Sequence, residues 1–246
     1  MEMKKINGRN IYIGKTEVDL NNFLLNQLIS LSCEAIKKSS KFVIALSGGN
    51  TPVFFYRYLT KEKHSIAWDK THIFFADERI LPYDDKESNY GLMKKIFFDN
   101  IPILDENIHP VKTDGGSQSA ASKYEKEILN YFNLKRGQLP QFDLIMLGIG
   151  RDGHTASLFP NYVSTTDNTY LTCAVQASYI KYERVSITIP VINNARNVYF
   201  LVRGREKAEI LRDILKNGNS NLPASKVKPK ERKLIFILDS AAASLL

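Results

Sequence analysis

The sequence predicts an α/β protein with a Rossmann-like, mostly parallel sheet and helices on both faces, formed as a single domain over residues 1–246. Two observations lead to this prediction. Short, almost wholly apolar segments, typical of strands buried on both faces of a parallel sheet, alternate with segments of helical periodicity. Polar turns follow several of these apolar segments, and ligands bind at that edge of an open α/β sheet.

The predicted elements alternate along the chain. Apolar or alternating runs predict strands over residues 10–13, 42–46, 72–76, 107–111, 142–147, 169–175, 184–189, 197–202 and 234–238. Apolar residues at helical spacing, together with capping residues, predict helices over residues 18–38, 53–59, 90–98, 120–132 and 204–216. Residues 161–169 are polar and are expected to be irregular.

Composition excludes several classes of protein. The 43% hydrophobic content is ordinary for a globular protein, and no run approaches the roughly 18 apolar residues of a membrane span. The first residues contain no apolar signal core, and two cysteines are too few for a disulfide framework, so we expect a cytoplasmic protein. The net charge of +8 favours anionic partners. The basic residues are scattered without a recognition motif, so neither nucleic acid nor a membrane is expected as a partner.

The first turn with chemical potential follows the strand over residues 42–46. Its residues are Ser47, Gly48, Gly49, Asn50 and Thr51, and they lead into the helix over residues 53–59. Pro52 suits the first turn of a helix, and Asn50 or Thr51 is expected to cap it. Free N–H groups and the helix dipole meet at such a turn, which therefore predicts an anion site.

Charged residues follow two further strands. Asp77-Glu78-Arg79 comes directly after the strand over residues 72–76, where ligand contact explains three charges better than packing does. Arg203 to Lys207 forms a second basic turn between a strand and a helix. Both turns are expected at the same edge of the sheet as the anion site.

The loop from Gly148 to His154 follows the strand over residues 142–147 and contains three glycines, Asp152 and His154. Its Gly-x-Gly-x-x-Gly spacing matches a dinucleotide-binding pattern, but Pro160 leaves too little room for the long helix that a pyrophosphate requires. No histidine or cysteine cluster has metal-ligand spacing. We therefore expect a catalytic loop with neither a cofactor nor a metal.

These segments together resemble a known family. The runs Leu46–Pro52 and Ala76–Arg79, and above all Gly148–Pro160 with its sequence DGHTASLFP, are similar to signatures of the 6-phosphogluconolactonases, members of the glucosamine/galactosamine-6-phosphate isomerase superfamily. Residues 184–188, 204–207, 222–225 and 238–239 add further matches in the family's order. The resemblance implies hydrolysis of 6-phospho-D-glucono-1,5-lactone to 6-phospho-D-gluconate, the second step of the oxidative pentose phosphate pathway.

Two alternatives stay open. The family is similar in fold to glucosamine-6-phosphate deaminase, which places a carboxylic acid before the proline of its DGH segment. Phe159 stands at that position here and cannot polarise an imidazole, which disfavours ring-opening isomerisation. A non-catalytic sugar-phosphate sensor of this fold would carry a helix-turn-helix segment before the sugar domain, and this chain begins at its first strand.

The site residues can be given expected roles. We expect His154 to be the general base, because an imidazole ordinarily has a pKa of about 6.5. Asp152 is expected to orient the imidazole and Asp77 to bind sugar hydroxyls or assist, with backbone N–H groups of Gly148 and Gly150 facing the oxyanion. The phosphate is expected at the turn from Ser47 to Thr51, with Arg79, Lys207 and Arg184 as cationic partners. The partner is then a small phosphorylated sugar lactone, bound by a monomer.

Overall fold

The computed structural model describes residues 2–161, 170–229 and 233–246. Its strands are β1 (Glu2–Ile6), β2 (Arg9–Gly14), β3 (Phe42–Leu46), β4 (Thr71–Phe75), β5 (Asp77–Arg79), β6 (Ile108–His109), β7 (Leu144–Leu147), β8 (Thr172–Val175), β9 (Arg184–Ile187), β10 (Asn197–Val202) and β11 (Lys233–Asp239). Its helices are α1 (Glu17–Ser39), α2 (Val53–Lys61), α3 (Asn89–Ile96), α4 (Gly116–Tyr131), α5 (Ile189–Asn194) and α6 (Ala208–Leu215). The irregular segment predicted over residues 161–169 lies outside the described residues, apart from residue 161.

Eight strands form the main sheet in the order β1-β2-β11-β10-β7-β3-β4-β6. Every neighbouring pair is parallel except the hairpin of β1 and β2 at one edge. The predicted mostly parallel α/β sheet is confirmed. Strands β3, β7 and β10 are buried at nearly every position, which explains why they appear in the sequence as continuous apolar runs.

The strand order reverses direction between β3 and β7. From β3 the chain proceeds outward to β4 and β6, and from β7 it proceeds the opposite way to β10 and β11. Because parallel connections are right-handed, this reversal places the connecting helices of the two halves on opposite faces of the sheet. It also opens a crevice between the carboxyl ends of β3 and β7, where ligands bind in folds of this type.

A second, three-stranded antiparallel sheet has the order β5-β9-β8. The interpretation of Asp77 to Arg79 as a turn after a strand was therefore wrong, because these residues pair with Arg184 to Ser186. Strands β8 and β9 form within the ranges predicted at 169–175 and 184–189, of which residue 169 lies outside the described residues, but they are shorter and belong to this smaller sheet. Pairing between segments about 100 residues apart leaves no local periodicity from which it could be inferred.

Other differences from the predicted elements are local. Strand β1 and helix α5 were not predicted. The hairpin of β1 and β2 closes through Asn7 and Gly8, both at positive φ, which is a turn that Asn-Gly sequences favour. Pro190 lies in the first turn of α5, where a proline starts a helix as readily as it ends a strand.

The long helix α1 is confirmed within one residue at each end. Its N-terminus has a complete capping box, in which Thr16 accepts from the backbone of Asp19 and the Asp19 side chain accepts from the backbone of Thr16. Among the described residues, no helix is both long enough and apolar enough to cross a bilayer.

Candidate active site

A cleft of about 520 Å³ opens at the carboxyl ends of β3 and β7. The structure brings all thirteen residues predicted for the site to its wall: Ser47, Gly48, Gly49, Asn50, Thr51, Asp77, Arg79, Gly148, Gly150, Asp152, His154, Arg184 and Lys207. The other three histidines do not line it. The roles expected for these residues stay predictions, but the location is the crevice that the reversal of strand order creates.

His154 and Asp152 form a hydrogen-bonded pair in the loop after β7. His154 Nδ1 lies 2.6 Å from Asp152 Oδ1, and the same oxygen accepts the backbone N–H of His154 at 3.1 Å. Burial by itself raises the pKa of Asp152, but the hydrogen bonds and charge of His154 outweigh it and leave this pKa below its ordinary value. An ionised Asp152 holds the proton on Nδ1, so Nε2 is the ring nitrogen left to accept a proton.

Backbone hydrogen bonds give the loop its shape. Gly150 N–H donates to His154 O at 2.8 Å, and Gly153, at φ +81°, donates to Gly150 O at 3.1 Å. Thr155 Oγ1 donates to Gly148 O at 2.9 Å. The N–H of Gly150 is therefore already engaged, so the expectation that it faces the oxyanion was wrong. The N–H of Gly148 stays a candidate for that role.

Gly150 has a different use, which gives a testable prediction. A Cβ placed on Gly150 would come closer than 3.0 Å to His154 Nδ1 and to Asp152 Oδ1. Gly150→Ala should therefore separate the pair and lower kcat by about tenfold or more, since an orienting hydrogen bond to the base is lost. Steady-state kinetics measures the effect.

The matched control is Gly148→Ala, because a Cβ there meets no atom within 4 Å. It should leave the His154–Asp152 hydrogen bond in place and cost less. If the two substitutions lower kcat equally, or if a folded Gly150→Ala keeps full activity, the close packing of Gly150 on His154 and Asp152 has no role in activity.

An aromatic side chain also packs against the imidazole of His154. The ring of Phe159 is 6% exposed and lies 4.6 Å from the His154 ring, centroid to centroid. Phe159 stands where a deaminase would need an acid, and its contact with His154 leaves Asp152 as the carboxylate bound to this histidine. The geometry suits a histidine that takes a proton from water.

Asp77 belongs to strand β5, lines the cleft and takes part in a network of buried hydrogen bonds. Ser157 Oγ donates to Asp77 Oδ2 at 2.6 Å, and Arg184 Nη1 donates to Ser157 Oγ at 3.4 Å. Asn89 Nδ2 donates to the backbone carbonyl of Asp77 at 2.9 Å. Among the described residues Asp77 Oδ1 has no hydrogen bond, which leaves that oxygen for a ligand.

Three buried polar atoms of the cleft lack a hydrogen-bond partner within the described part of the chain: Ser47 Oγ, Arg79 Nε and Arg184 Nε. Each unsatisfied buried group costs about 1–3 kcal/mol. Three such atoms on one cleft indicate that a ligand with several acceptor oxygens supplies the missing bonds.

The cationic side chains of the cleft form two groups. Burial lowers the pKa of Arg184. The negative charge of Asp77 opposes this effect, and the positive charge of Arg79 adds to it. Arg79 also donates through Nη1 to the carbonyl of Glu87. Burial likewise lowers the pKa of Lys207. The negative charge of Glu206 opposes this effect, and the positive charge of Arg151 adds to it. The cleft therefore presents positive charge from both β5–β9 and the loops after β7 and β10.

The turn from Ser47 to Thr51 has the expected position but not the expected cap. Pro52 is the N-cap of α2, and no side chain accepts a hydrogen bond from the first turn, so the capping role predicted for Asn50 or Thr51 was wrong. Gly49 has φ +81°, which a residue with a side chain rarely adopts. No side chain caps the first turn of α2, and the residues just before it, Asn50, Thr51 and Pro52, line the cleft.

Sequence reasoning missed several residues of this site. Asn89 and Arg151 line the cleft, and the buried Ser157 donates a hydrogen bond to Asp77. Arg151 follows Gly150 in the same loop, so its position was a usable signal. Asn89 begins a helix that is distant in sequence from the glycine turns, and nothing local marks it.

Glu78 was predicted as a charge at the ligand edge and is instead fully buried, at 0% exposure. Its carboxylate accepts the backbone N–H groups of Arg79, Asn89 and Tyr90 at 2.7, 2.8 and 2.7 Å. Burial raises the pKa of Glu78 to about 7, although these three hydrogen bonds act to lower it.

This raised pKa predicts a pH dependence of stability. Between about pH 4.5 and 7 the carboxyl is ionised in the unfolded chain but largely protonated in the folded one. The folded state then binds more protons, so the free energy of unfolding should fall as the pH rises through this window and level off above it. Over this window the change is on the order of 3 kcal/mol.

Chemical denaturation of the wild type and of Glu78→Gln across this window measures the effect. Glutamine does not titrate, so the difference between the two proteins should carry the slope. If the free energies of unfolding of the two proteins change in parallel with pH, Glu78 does not titrate in this window.

No group of three or more histidine, cysteine, aspartate or glutamate side chains within residues 2–161, 170–229 and 233–246 has the arrangement of a metal site. The cleft instead combines a histidine–carboxylate pair with cations and unpaired buried polar atoms. That set can activate water and bind a phosphorylated compound.

Comparison with known proteins agrees with this geometry. A family model described as glucosamine-6-phosphate isomerases/6-phosphogluconolactonase matches residues 15–236. The chain is 37% identical over 216 residues to a 6-phosphogluconolactonase of Synechocystis sp., covering 87% of this chain and 88% of that protein. It is 34% identical over 242 residues to a probable 6-phosphogluconolactonase of Schizosaccharomyces pombe, covering 94% of each.

Solved structures agree as well. The crystal structure of 6-phosphogluconolactonase from Thermotoga maritima matches with a TM-score of 0.80 and 30% identity, covering 96% of this chain and 100% of that one. The match thus extends over nearly the whole length of both chains. Since the family model covers most of the sequence and full-length relatives exceed 30% identity, this chain belongs to the glucosamine-6-phosphate isomerase/6-phosphogluconolactonase family.

Proposed function

We propose that this cleft hydrolyses 6-phospho-D-glucono-1,5-lactone to 6-phospho-D-gluconate, the second step of the oxidative pentose phosphate pathway. The observation that supports it most is the His154–Asp152 pair, whose Nδ1–Oδ1 hydrogen bond leaves Nε2 to accept a proton in a cleft lined by cations. The relatives reported above are named 6-phosphogluconolactonase or probable 6-phosphogluconolactonase, and the family match over residues 15–236 includes every segment that lines the cleft.

In the first step, water is activated by His154. Nε2 takes a proton from the water while its oxygen forms a bond to the lactone carbonyl carbon, and the carbonyl π electrons move onto the oxygen. Asp152 keeps the imidazole oriented and stabilises the imidazolium that forms. Backbone N–H donors at the cleft, with that of Gly148 as our candidate, would face the developing oxyanion.

In the second step the ring opens. The carbonyl re-forms, the bond from the carbonyl carbon to the ring oxygen breaks, and the imidazolium gives its proton to that departing oxygen. The product carboxylic acid then loses a proton to solvent, so each turnover releases one proton. These two reaction steps use no cofactor, because a lactone is an activated ester and water is the nucleophile.

The phosphate is assigned to the turn from Ser47 to Thr51, with Arg79, Lys207 and Arg184 as cationic partners. The orphaned Ser47 Oγ, Arg79 Nε and Arg184 Nε support this assignment, since phosphate offers three acceptor oxygens. Asp77 Oδ1 is assigned to a sugar hydroxyl. We also place Arg151 among the groups that attract the substrate, since it lines the cleft beside Lys207.

The wider organisation is also a proposal. One hydrophobic cluster includes residues of both sheets, such as Phe74, Val185 and Ile187, which supports a single domain over residues 1–246. We propose a monomer that acts in the cytoplasm on a small sugar phosphate and requires neither nucleic acid nor a membrane.

Parallel assays with two substrates distinguish the proposed reaction from the deaminase reaction. The protein should release acid from the phosphorylated lactone and no ammonia from glucosamine 6-phosphate. Phe159 beside His154 is the structural reason, because ring-opening isomerisation needs a carboxylic acid there. Ammonia release with no effect on the lactone would transfer the chain to the deaminase class.

A further inference from the structure

The side chain of Asn89 joins two walls of the cleft. It is 2% exposed, and its Nδ2 donates to the backbone carbonyl of Asp77 at 2.9 Å. On its other side, a Cβ placed on Gly48 would come closer than 3.0 Å to Asn89 Oδ1 and Cγ, so the Gly48 backbone packs directly on this amide. One buried side chain therefore contacts both the turn assigned to the phosphate and the strand that carries Asp77.

Asn89 is itself held in place by Glu78. Glu78 Oε1 accepts the N–H of Asn89, and Oε2 accepts that of Tyr90, which are the first two N–H groups of α3 and have no partner within the helix. Ser88 caps the same helix by accepting the N–H of Gly91. A carboxylate at this position also interacts favourably with the helix dipole. The start of α3, and with it the amide of Asn89, is thus fixed by a fully buried group.

We propose that Asn89, anchored by Glu78, is a positioning residue that fixes the spacing between the phosphate-binding turn and Asp77. This inference rests on the proposed function, since it takes the turn as the phosphate site and Asp77 as a contact to the sugar. A ligand that reaches both places depends on the spacing, whereas a ligand that occupies one of them does not.

The contacts explain why an amide stands at this position. Nδ2 donates to the carbonyl of Asp77, and Oδ1 and Cγ pack so closely on Gly48 that a Cβ there would clash with them. Serine is too short to reach both partners, and it adds no charge beside the phosphate. Asn89→Ser therefore removes the spacer while leaving the electrostatics of the turn unchanged.

The experiment compares the binding of inorganic phosphate and of 6-phosphogluconate by calorimetry, in the wild type and in Asn89→Ser. The affinity for 6-phosphogluconate should fall by about tenfold or more, because one charge-assisted hydrogen bond is misplaced when the ligand must reach both walls. The affinity for inorganic phosphate should change by less than about threefold, since it uses the turn and its cationic partners but makes no contact with Asp77. Asn130→Ser, at an exposed position of α4, is the matched control and should bind both ligands as the wild type does.

Equal weakening of the two ligands would show that Asn89 supports the turn in general, and unchanged binding of 6-phosphogluconate would show that it sets no spacing. Either result overturns the inference. If Asn89→Ser does not fold, Glu78→Gln is the second variant. It should weaken the binding of 6-phosphogluconate more than that of inorganic phosphate, by a smaller factor than is expected for Asn89→Ser. A wild type that binds 6-phosphogluconate but hydrolyses no lactone would contradict the proposed function and leave this comparison valid.

Discussion

Replacing His154 by alanine should lower kcat for the phosphorylated lactone by about 10²–10⁴, the range typical of removing a general base. His154 Nδ1 is held by Asp152 at 2.6 Å, so the loss removes the group that accepts a proton from water. The imidazole is partly exposed at the mouth of the cleft, and its removal should leave the fold unchanged. Initial rates at saturating substrate, corrected for spontaneous hydrolysis, measure the effect.

Two companion measurements make this prediction specific. Asp152→Asn should lower kcat by a smaller factor, because the amide still accepts from Nδ1–H but no longer stabilises an imidazolium. Treatment of the wild type with a chelator should leave its rate unchanged. A well-folded His154→Ala that turns over at the wild-type rate would refute the assignment of the base.

Removal of the phosphate from the substrate is expected to have an effect of similar size. Two charge-assisted hydrogen bonds lost together cost roughly 3–6 kcal/mol, which corresponds to about 10²–10⁴ in kcat/KM for unphosphorylated gluconolactone. The unpaired Nε atoms of Arg79 and Arg184, the unpaired Oγ of Ser47 and the half-buried Lys207 are the groups that would lose this partner. Measurement of kcat/KM for both substrates tests the size of the loss.

Substitution of the cations then identifies the phosphate site. Arg79→Ala and Lys207→Ala should each raise KM for the phosphorylated lactone, if the contact is equal in the ground and transition states. Both losses should shrink with the unphosphorylated substrate, because the partner is already missing. Losses that are the same with and without the phosphate would show that neither residue binds it.

The sequence alone predicted the site more successfully than it predicted the second sheet. The glycine turn after β3 and the Gly148–His154 loop after β7 follow buried strands, so local patterns placed both at one edge of a parallel sheet. The pairing of Asp77–Arg79 with Arg184–Ser186 depends on contacts between distant segments. Such contacts leave no periodicity within either segment.

The same limit explains the errors in detail. The N–H of Gly150 was expected to be free, but it donates to His154 O four residues later, a bond that depends on the fold of the loop. Asn89 and Glu78 act through a helix N-terminus that meets the cleft only in three dimensions. Residue types indicated which groups could do chemistry, whereas hydrogen-bond partners decided which of them were available.

The most direct test of the central claim is the rate of proton release from 6-phospho-D-glucono-1,5-lactone, followed at a pH where spontaneous hydrolysis is slow. We expect a rate that rises in proportion to wild-type protein and that falls close to the background with an equal amount of His154→Ala. Equal rates with and without the wild-type protein would contradict the proposed hydrolysis.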